Sequence, residues 1–169
     1  MILKIVKYPE PVLQQPGEPV TEFNAELRKL AADMFETMYA GEGAGLAAQQ
    51  VGIAKRIAVI DLSGGKDPAQ KLVLVNPEII SRDGKLYEME GCLSFPDIME
   101  KVVRAAKVSV RAQDLDGKWF EMEGVDLLSR CFQHEIDHLD GMLFIYRMSP
   151  LKRDLVVRKI RKLQRAGEW

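Results

Sequence analysis

The sequence is poor in the features that mark secreted and membrane proteins. It has only two cysteines, Cys92 and Cys131, which is too few for a disulfide framework. No stretch approaches the roughly 20 consecutive apolar residues that a membrane-spanning helix needs, and the opening apolar run is too short for a signal peptide. We therefore expect a cytoplasmic protein with no membrane association and with reduced cysteines.

The net charge is small and histidine is rare. The formal charge is −1, which gives no sign of a protein that coats nucleic acid, and the whole chain contains two histidines. Apolar residues are plentiful, at 47% of 169 residues, which is enough to bury one core. We expect residues 1–148 to form one domain, and residues 149–169 to form a C-terminal helix that packs on this domain or extends from it.

The N-terminal part divides at Asn24. Four prolines within residues 1–23 predict a loop with one short turn. From Leu27 to Tyr39 the apolar residues recur every three or four positions, which predicts an amphipathic helix. Asn24 is placed to cap the start of this helix and Gly41 to end it.

The middle of the chain is dominated by patterns typical of strands. Strands are predicted at 56–62, 71–80 (interrupted at 76–77), 101–113, 119–123 and 142–146. Asp83-Gly84 predicts a turn, and Asp116-Gly117 predicts a hairpin. Because these strands cluster between helices instead of alternating with them, we expect an α+β fold with antiparallel sheets.

A predicted helix over 125–139 carries a His-Glu-x-x-His motif at 134–138. Residues four apart lie one turn apart on the same helix face, so His134 and His138 can bind one metal ion. Glu135 is not a ligand in this arrangement, but its carboxylate can take a proton from a water held by the ion. We expect the sheets to pack around this central helix.

The two histidines need a third partner, because a catalytic zinc-type centre usually has three protein ligands and one open position. Cys131 is near in sequence, but it precedes His138 by seven residues, about 10 Å along a helix axis. A straight helix cannot easily bring three such ligands to one ion. Cys92 lies on a separate, glycine-flanked segment and is the preferred ligand, while Cys131 is expected to be buried or to line the pocket.

The glycine-rich segment 41–50 lacks the Gly-Lys-Ser/Thr ending of a phosphate-binding loop. Three glycines in its first five residues permit unusual backbone angles and close approach of another chain. From the residues alone it is either a flexible turn or a place where a second chain comes close.

The last predicted helix, which begins at Ser149-Pro150, is strongly basic. Its apolar stripe is expected to consist of Leu151, Leu155, Val156, Ile160 and Leu163. Its other face carries seven basic side chains against Asp154: Lys152, Arg153, Arg158, Lys159, Arg161, Lys162 and Arg165. This face is either an ordinary solvated surface or a docking surface for a polyanion such as RNA.

Three separated segments together resemble the signatures of the bacterial peptide deformylases. They are Gly43-Ala44-Gly45-Leu46-Ala47-Ala48-Gln49-Gln50, Glu90-Gly91-Cys92-Leu93-Ser94 and Gln133-His134-Glu135-Ile136-Asp137-His138. The resemblance extends over essentially the whole chain, and the helix after Ser149 is similar to that of the Gram-negative-type enzymes. It implies an α+β fold and removal of the N-formyl group from the methionine that begins new polypeptides, with release of formate.

The resemblance also implies roles for individual residues. Cys92, His134 and His138 would bind the metal, with Glu135 as the acid and base. Gln50 and the backbone N–H of Leu93 would bind the formyl carbonyl. The remaining residues expected to contact substrate are Gly43, Ala44, Gly45, Glu90, Leu127, Arg130 and Cys131.

Cofactor and partners follow from the same resemblance. The native metal would be ferrous iron, replaceable by nickel, cobalt or zinc. The substrates would be N-formylmethionyl nascent peptides, and the basic C-terminal helix would contact the ribosome. We expect a monomer.

The residues alone also admit two other functions. A general metallopeptidase would use the same water and glutamate, but it would need room for peptide on both sides of the cleaved bond. A ribosome-binding module would use the basic helix and keep the metal only for structure.

Overall fold

The structure is a computed structural model that describes all 169 residues. It contains two antiparallel sheets and three helices, α1 (Ala25–Ala40), α2 (Asp126–Leu139) and α3 (Pro150–Arg165). The predicted α+β class, with the His-Glu-x-x-His helix between a helix near each end, is therefore confirmed. None of the helices is both long enough and apolar enough to cross a membrane.

The larger sheet has five strands in the order β1-β2-β3-β6-β7, and the smaller sheet is the hairpin β4-β5. Their bounds are β1 Gly45–Ala47, β2 Ile57–Ile60, β3 Leu72–Asp83, β4 Leu86–Cys92, β5 Phe95–Arg104, β6 Lys107–Gln113 and β7 Trp119–Val125. All neighbouring strands are antiparallel. Strand β1 is an edge of the larger sheet, so one of its sides is not paired with a strand.

Helix α1 forms where its capping and apolar pattern predict it. The Asn24 side chain accepts a hydrogen bond from the Leu27 N–H at 3.1 Å, and Gly41 follows the last turn. Met34 and Met38 are fully buried against the larger sheet. Residues 1–23, predicted as a loop with one short turn, contain a single 3₁₀ turn at Pro11–Gln14.

Helix α2 buries one face under the larger sheet and uses another for the histidines. Phe132 and Ile136 pack with strand residues of β2, β3 and β6 in one hydrophobic cluster. The helix ends at Asp140, and Gly141 continues the chain with φ of 77°, a left-handed conformation that suits glycine. The amphipathic packing of α2 therefore fixes which way the metal motif points.

The single strand predicted over 101–113 is wrong. The structure has two strands there: β5 pairs with β4, and β6 pairs with β3 and β7. The chain turns at Ala105, whose N–H donates to the Gln133 side chain and whose carbonyl accepts from Ser129 and Gln133. These tertiary hydrogen bonds satisfy the backbone polar groups at the break. Strand β4 was not predicted, because its alternating apolar residues, Tyr87 and Met89, lie on an exposed face.

The strand predicted at 142–146 is wrong as well. Residues Phe144–Arg147 form a 3₁₀ turn, and Leu143, Phe144 and Ile145 are buried within a hydrophobic cluster. A short apolar run is compatible with either conformation, and no strand lies alongside to pair with this one.

Helix α3 packs on the rest of the chain through a narrower stripe than predicted. The Ser149 hydroxyl accepts from the Lys152 N–H, as the capping pattern predicts. Val156 and Ile160 are buried in the cluster that includes Phe95. Leu151 and Leu155, which were predicted to belong to the apolar stripe, are 71% and 55% exposed, because only one side of the helix touches the domain.

Asn76 connects the larger sheet to the N-terminal loop. It has φ of 51° at a β-bulge in β3, where the sequence predicted an interruption. Its side chain accepts from the Val20 N–H at 2.8 Å and donates to the Val20 carbonyl and to the Gln113 side chain at 2.9 and 2.7 Å. Asparagine tolerates this backbone conformation better than most residues.

We expect Asn76→Ala to lower the free energy of unfolding by about 2–4 kcal/mol, because it removes three hydrogen bonds and places alanine in a left-handed conformation. Urea unfolding followed by circular dichroism measures the change. Asn76→Gly loses the same hydrogen bonds without the backbone strain, so it should be less destabilising. A loss below about 0.5 kcal/mol in Asn76→Ala, the range of ordinary surface changes, would contradict this role.

Candidate active site

Three side chains from two elements meet at one point. Cys92 is the last residue of β4, and His134 and His138 lie one turn apart on α2. The Cys92 Sγ is 3.4 Å from the His138 Nε2, which is 3.1 Å from the His134 Nε2. All three atoms lie within 4.8 Å of one another. The hairpin β4-β5 therefore delivers a sulfur to the helix face that carries both imidazoles.

These spacings suit a metal ion. Ligand atoms at about 2.0–2.3 Å from a tetrahedral ion lie roughly 3.3–3.6 Å from each other, close to the observed separations among Cys92, His134 and His138. One sulfur and two imidazoles are also the donor types that transition metals take in proteins. Because only three protein groups converge, a water can occupy a fourth position.

Glu90 hydrogen-bonds the side of the His134 ring that faces away from Cys92 and His138. One carboxylate oxygen of Glu90 accepts a hydrogen bond from the His134 Nδ1 at 2.7 Å, and Arg104 donates to both oxygens at 3.1 and 2.8 Å. Burial alone would raise the pKa of Glu90, but these hydrogen bonds outweigh it and lower the pKa to about 2. The arrangement fixes the His134 ring with its Nε2 toward the ligand site. It favours a positioning role for Glu90 over the predicted contact with substrate.

The buried charge network continues beyond Arg104. Asp137, which directly precedes His138 on α2, accepts from Arg104 at 2.6 Å and from two nitrogens of Arg147 at 3.1 and 2.9 Å. Arg104 is only 3% exposed at its side chain, yet its charge is compensated by Glu90 and Asp137. This network joins β4, β5, α2 and the 3₁₀ turn around the metal site.

Glu135 is the catalytic candidate beside the ligands. It is buried, and its Oε2 makes no hydrogen bond within the protein. Burial raises the pKa of its carboxyl to about 7. Gly45 of β1 leaves room for it, because a Cβ at that position would lie 2.8 Å from the Glu135 Oε1. Strand β1 and the Glu135 carboxylate therefore lie side by side along the cavity.

Gln50 and Leu93 present hydrogen-bond donors to the same site. The Gln50 Oε1 accepts from the Ala47 N–H at 2.9 Å, which turns its amide nitrogen toward Ser94 Oγ at 3.2 Å and Cys92 Sγ at 3.6 Å. The Leu93 N–H follows Cys92 directly and donates to no acceptor within the protein. Both groups are available to an oxygen that approaches the ligand site.

A cavity of about 640 Å³ opens in front of these groups. Of the residues predicted for the site, all except His138 line it, and His138 is fully buried behind them. Leu127, Arg130 and Cys131 form one side of this cavity, with the Arg130 guanidinium donating to the Met89 carbonyl. Burial raises the pKa of the Cys131 thiol to about 12, in agreement with a lining role rather than metal binding.

Sequence reasoning missed Arg104, Asp137, Arg147 and Ser94. Asp137 was visible inside the metal motif, but its contacts depend on where β5 and the 3₁₀ turn lie. Arg104 had one weak indication in the sequence, where it is a single charge between Val102-Val103 and Ala105-Ala106. Ser94 stands next to the predicted Leu93, and only the fold places it against Gln50.

Comparisons with known proteins point to one family. The family model described as polypeptide deformylase matches residues 2–154. A peptide deformylase of Acidobacterium capsulatum is 72% identical over 169 residues, which is 100% of this chain and 99% of that protein.

Solved structures of peptide deformylases also match. The Legionella pneumophila protein has a TM-score of 0.92 at 47% identity, covering 99% of this chain and 98% of that one. The Thermus thermophilus protein has a TM-score of 0.87 at 38% identity, covering 95% and 94%.

Glu90→Gln tests the support of His134. We expect about 10–100-fold weaker zinc binding, because the neutral amide no longer raises the basicity of the imidazole. Zinc titration against a competing chelator gives the dissociation constant. Glu88→Gln is the matched control, since Glu88 lies two residues earlier on β4 and is exposed. Equal affinities in the two variants would exclude this role of Glu90.

Proposed function

The chain belongs to the polypeptide deformylase family, and from that membership we propose that Cys92, His134 and His138 hold its catalytic metal ion. The protein is a metal-dependent hydrolase that removes the formyl group from the N-terminal formylmethionine of new polypeptides. The observation that carries the residue assignment is the convergence of one sulfur and two imidazole nitrogens beside the buried Glu135. The peptidase and ribosome-module alternatives are not favoured.

We propose ferrous iron as the native ion, with nickel, cobalt and zinc as substitutes. A thiolate from Cys92 adds negative charge and favours a soft or borderline ion. When bound, the ion supplies a polarised water of lowered pKa and a Lewis acid for the formyl oxygen. The Glu90–Arg104 pair keeps the His134 ring oriented for this ligand set.

Glu135 moves the proton in our proposal. Its carboxylate accepts a proton from the attacking water and returns it to the amine nitrogen of methionine, because an amide nitrogen leaves poorly as an anion. Its free Oε2 is available for this transfer. A pKa near 7 would let the group both accept and give a proton at neutral pH.

Gln50 and Leu93 stabilise the charge that grows on the formyl oxygen. The Gln50 side-chain amide and the Leu93 N–H donate to this oxygen, and donors of this kind commonly contribute about 3 kcal/mol each. The Gln50 amide is preorganised because the Ala47 N–H holds its oxygen. No rearrangement of these donors is then needed during the reaction.

The substrate backbone pairs with the open edge of β1. Ala44 accepts from the Asp61 N–H, so its polar groups face β2, and those of Gly45 face the unpaired side. An extended peptide can add to this edge through main-chain hydrogen bonds, which makes recognition tolerant of the side chains at positions 2 and 3. The methionine side chain would then enter the part of the cavity formed by Leu127, Arg130 and Cys131.

We propose that the enzyme acts as a cytoplasmic monomer and that α3 binds the ribosome. Residues 152–165 expose a basic surface, since only Val156 and Ile160 of this helix are buried. Such a surface attracts polyanions such as RNA. The Trp169 ring nitrogen donates to the Tyr8 carbonyl at 2.6 Å and ties the chain end to the N-terminal segment.

Glu135→Gln should lower turnover of formyl-Met-Ala-Ser by about 10²–10⁴-fold, the usual contribution of a general acid or base. Metal content should stay the same, because Glu135 is not a ligand. Formate release and elemental analysis measure the two effects. Near-normal turnover in this variant would refute the catalytic role.

The acetylated analogue of the same peptide and a longer internal peptide serve as controls for the reaction type. A deformylase should leave both intact, because a deformylase needs room only for a formyl group on one side of the bond. Cleavage of the internal peptide would favour the metallopeptidase.

Anaerobic purification should yield a protein that contains iron and loses activity on treatment with peroxide. We expect oxidation at Cys92, since a thiolate that lines an open cavity is the susceptible form. Cys131 is an internal control, because its raised pKa keeps it as a thiol. Mass spectrometry of the two cysteine peptides distinguishes them. Resistance of the iron form would count against Cys92 as a ligand.

A further inference from the structure

The outer face of the β4-β5 hairpin is a row of apolar side chains. Three cross-strand pairs share that face: Tyr87 with Val103, Met89 with Lys101, and Gly91 with Met99. Alternate residues of a strand point to the same side, so these pairs form one surface, which we call the hairpin face.

The hairpin face is open to solvent although most of it is apolar. Tyr87, Met89, Met99 and Val103 are 52%, 46%, 54% and 51% exposed. On the opposite side of the hairpin, Val102 is buried in the hydrophobic core, and Glu90 and Arg104 form a buried ion pair. Single exposed apolar residues are ordinary, but a contiguous row suggests a contact surface.

The hairpin face continues the wall of the active-site cavity. Met89, Gly91 and Met99 line this cavity, and the Met99 side chain lies across Gly91. Tyr87 precedes the metal ligand Cys92 by five positions, or about 17 Å along an extended strand. A chain that leaves the cavity in this direction therefore passes over the whole row.

We propose that the hairpin face binds the part of the substrate that follows its first three residues, at about positions 4–7, and that it favours apolar residues there. This rests on the proposed placement of formylmethionine in the cavity. An extended peptide advances about 3.3 Å per residue, so about five residues reach Tyr87. Methionine side chains adapt to varied partners, which suits a surface that must accept many sequences.

A second copy of the chain fits this surface less well than substrate does. Met89 and Met99 belong to both the hairpin face and the cavity, so a partner protein seated there would obstruct the active site. The far end of the row borders α3, because Lys152 of that helix donates to the Tyr87 hydroxyl at 2.6 Å. The row therefore leads from the active site to the start of the basic helix.

Two peptides of equal length test the proposal with the metal-loaded, full-length protein. Formyl-Met-Ala-Ser-Leu-Phe-Leu-Lys carries apolar residues at positions 4–6, and formyl-Met-Ala-Ser-Ser-Gly-Ser-Lys carries polar ones. Partial burial of two or three apolar side chains predicts about tenfold higher kcat/KM for the apolar peptide. Formate release measures both rates.

The double variant Tyr87→Thr/Val103→Thr should reduce this ratio toward one. Threonine keeps the β-branched shape that strands favour, so turnover of formyl-Met-Ala-Ser should not change. Trp119→Thr is the matched control, because Trp119 is an aromatic strand residue, 46% exposed, with Arg111 over its ring. It should keep the tenfold ratio.

A ratio near one in the unaltered protein, or an unchanged ratio in the double variant, would overturn the proposal. So would tripeptide turnover per molecule that falls as enzyme concentration rises, since that indicates self-association on this face. Calorimetric titration of Glu135→Gln with both heptapeptides gives a readout that does not need catalysis. Absence of formate release confirms that this variant binds the peptides without cleaving them. Tighter binding of the apolar peptide then supports the hairpin face independently of the rates, and equal affinities contradict it.

Discussion

The site depends on one constraint: a sulfur at the end of a strand must stay within reach of two imidazoles on a helix. Nothing local holds Cys92 against His134 and His138, because more than 40 residues of chain separate the sulfur from the helix. The contact is maintained by the paired charges of Glu90, Arg104 and Asp137, which link β4 and β5 to α2. Buried charges of this kind are costly unless each is compensated, and here each one is.

One face of α2 packs in the hydrophobic core, and another face carries the side chains of the site. Phe132 and Ile136 anchor the helix in the hydrophobic cluster under the larger sheet. This anchoring places His134 and Glu135 at the cavity wall and His138 behind them. Asp137 ties the helix to Arg147. A helix fixed by several such sets of contacts can keep the ligand nitrogens in place before any ion binds.

The predictions that proved wrong depended on how distant elements pack together. The break at Ala105 exists because its backbone groups bond to Gln133 and Ser129 of α2, which no pattern within 101–113 reveals. Strand β4 was missed because its alternation of polar and apolar residues has an exposed apolar side. Leu155 was assigned to the buried stripe of α3, although the helix touches the domain only around Val156 and Ile160.

Local patterns were sufficient to predict the starts of α1 and α3, the metal motif and the preference for Cys92, because caps, helical spacing and the reach of ligands are local rules. They were also sufficient for the family, since three short segments agree with one pattern. The support of His134 by Glu90, the buried pairing of Arg104 with Asp137, and the continuity of the hairpin face with the cavity became visible only in the folded chain. Those facts depend on which elements lie side by side, and contacts between distant residues leave no periodic trace in a single chain.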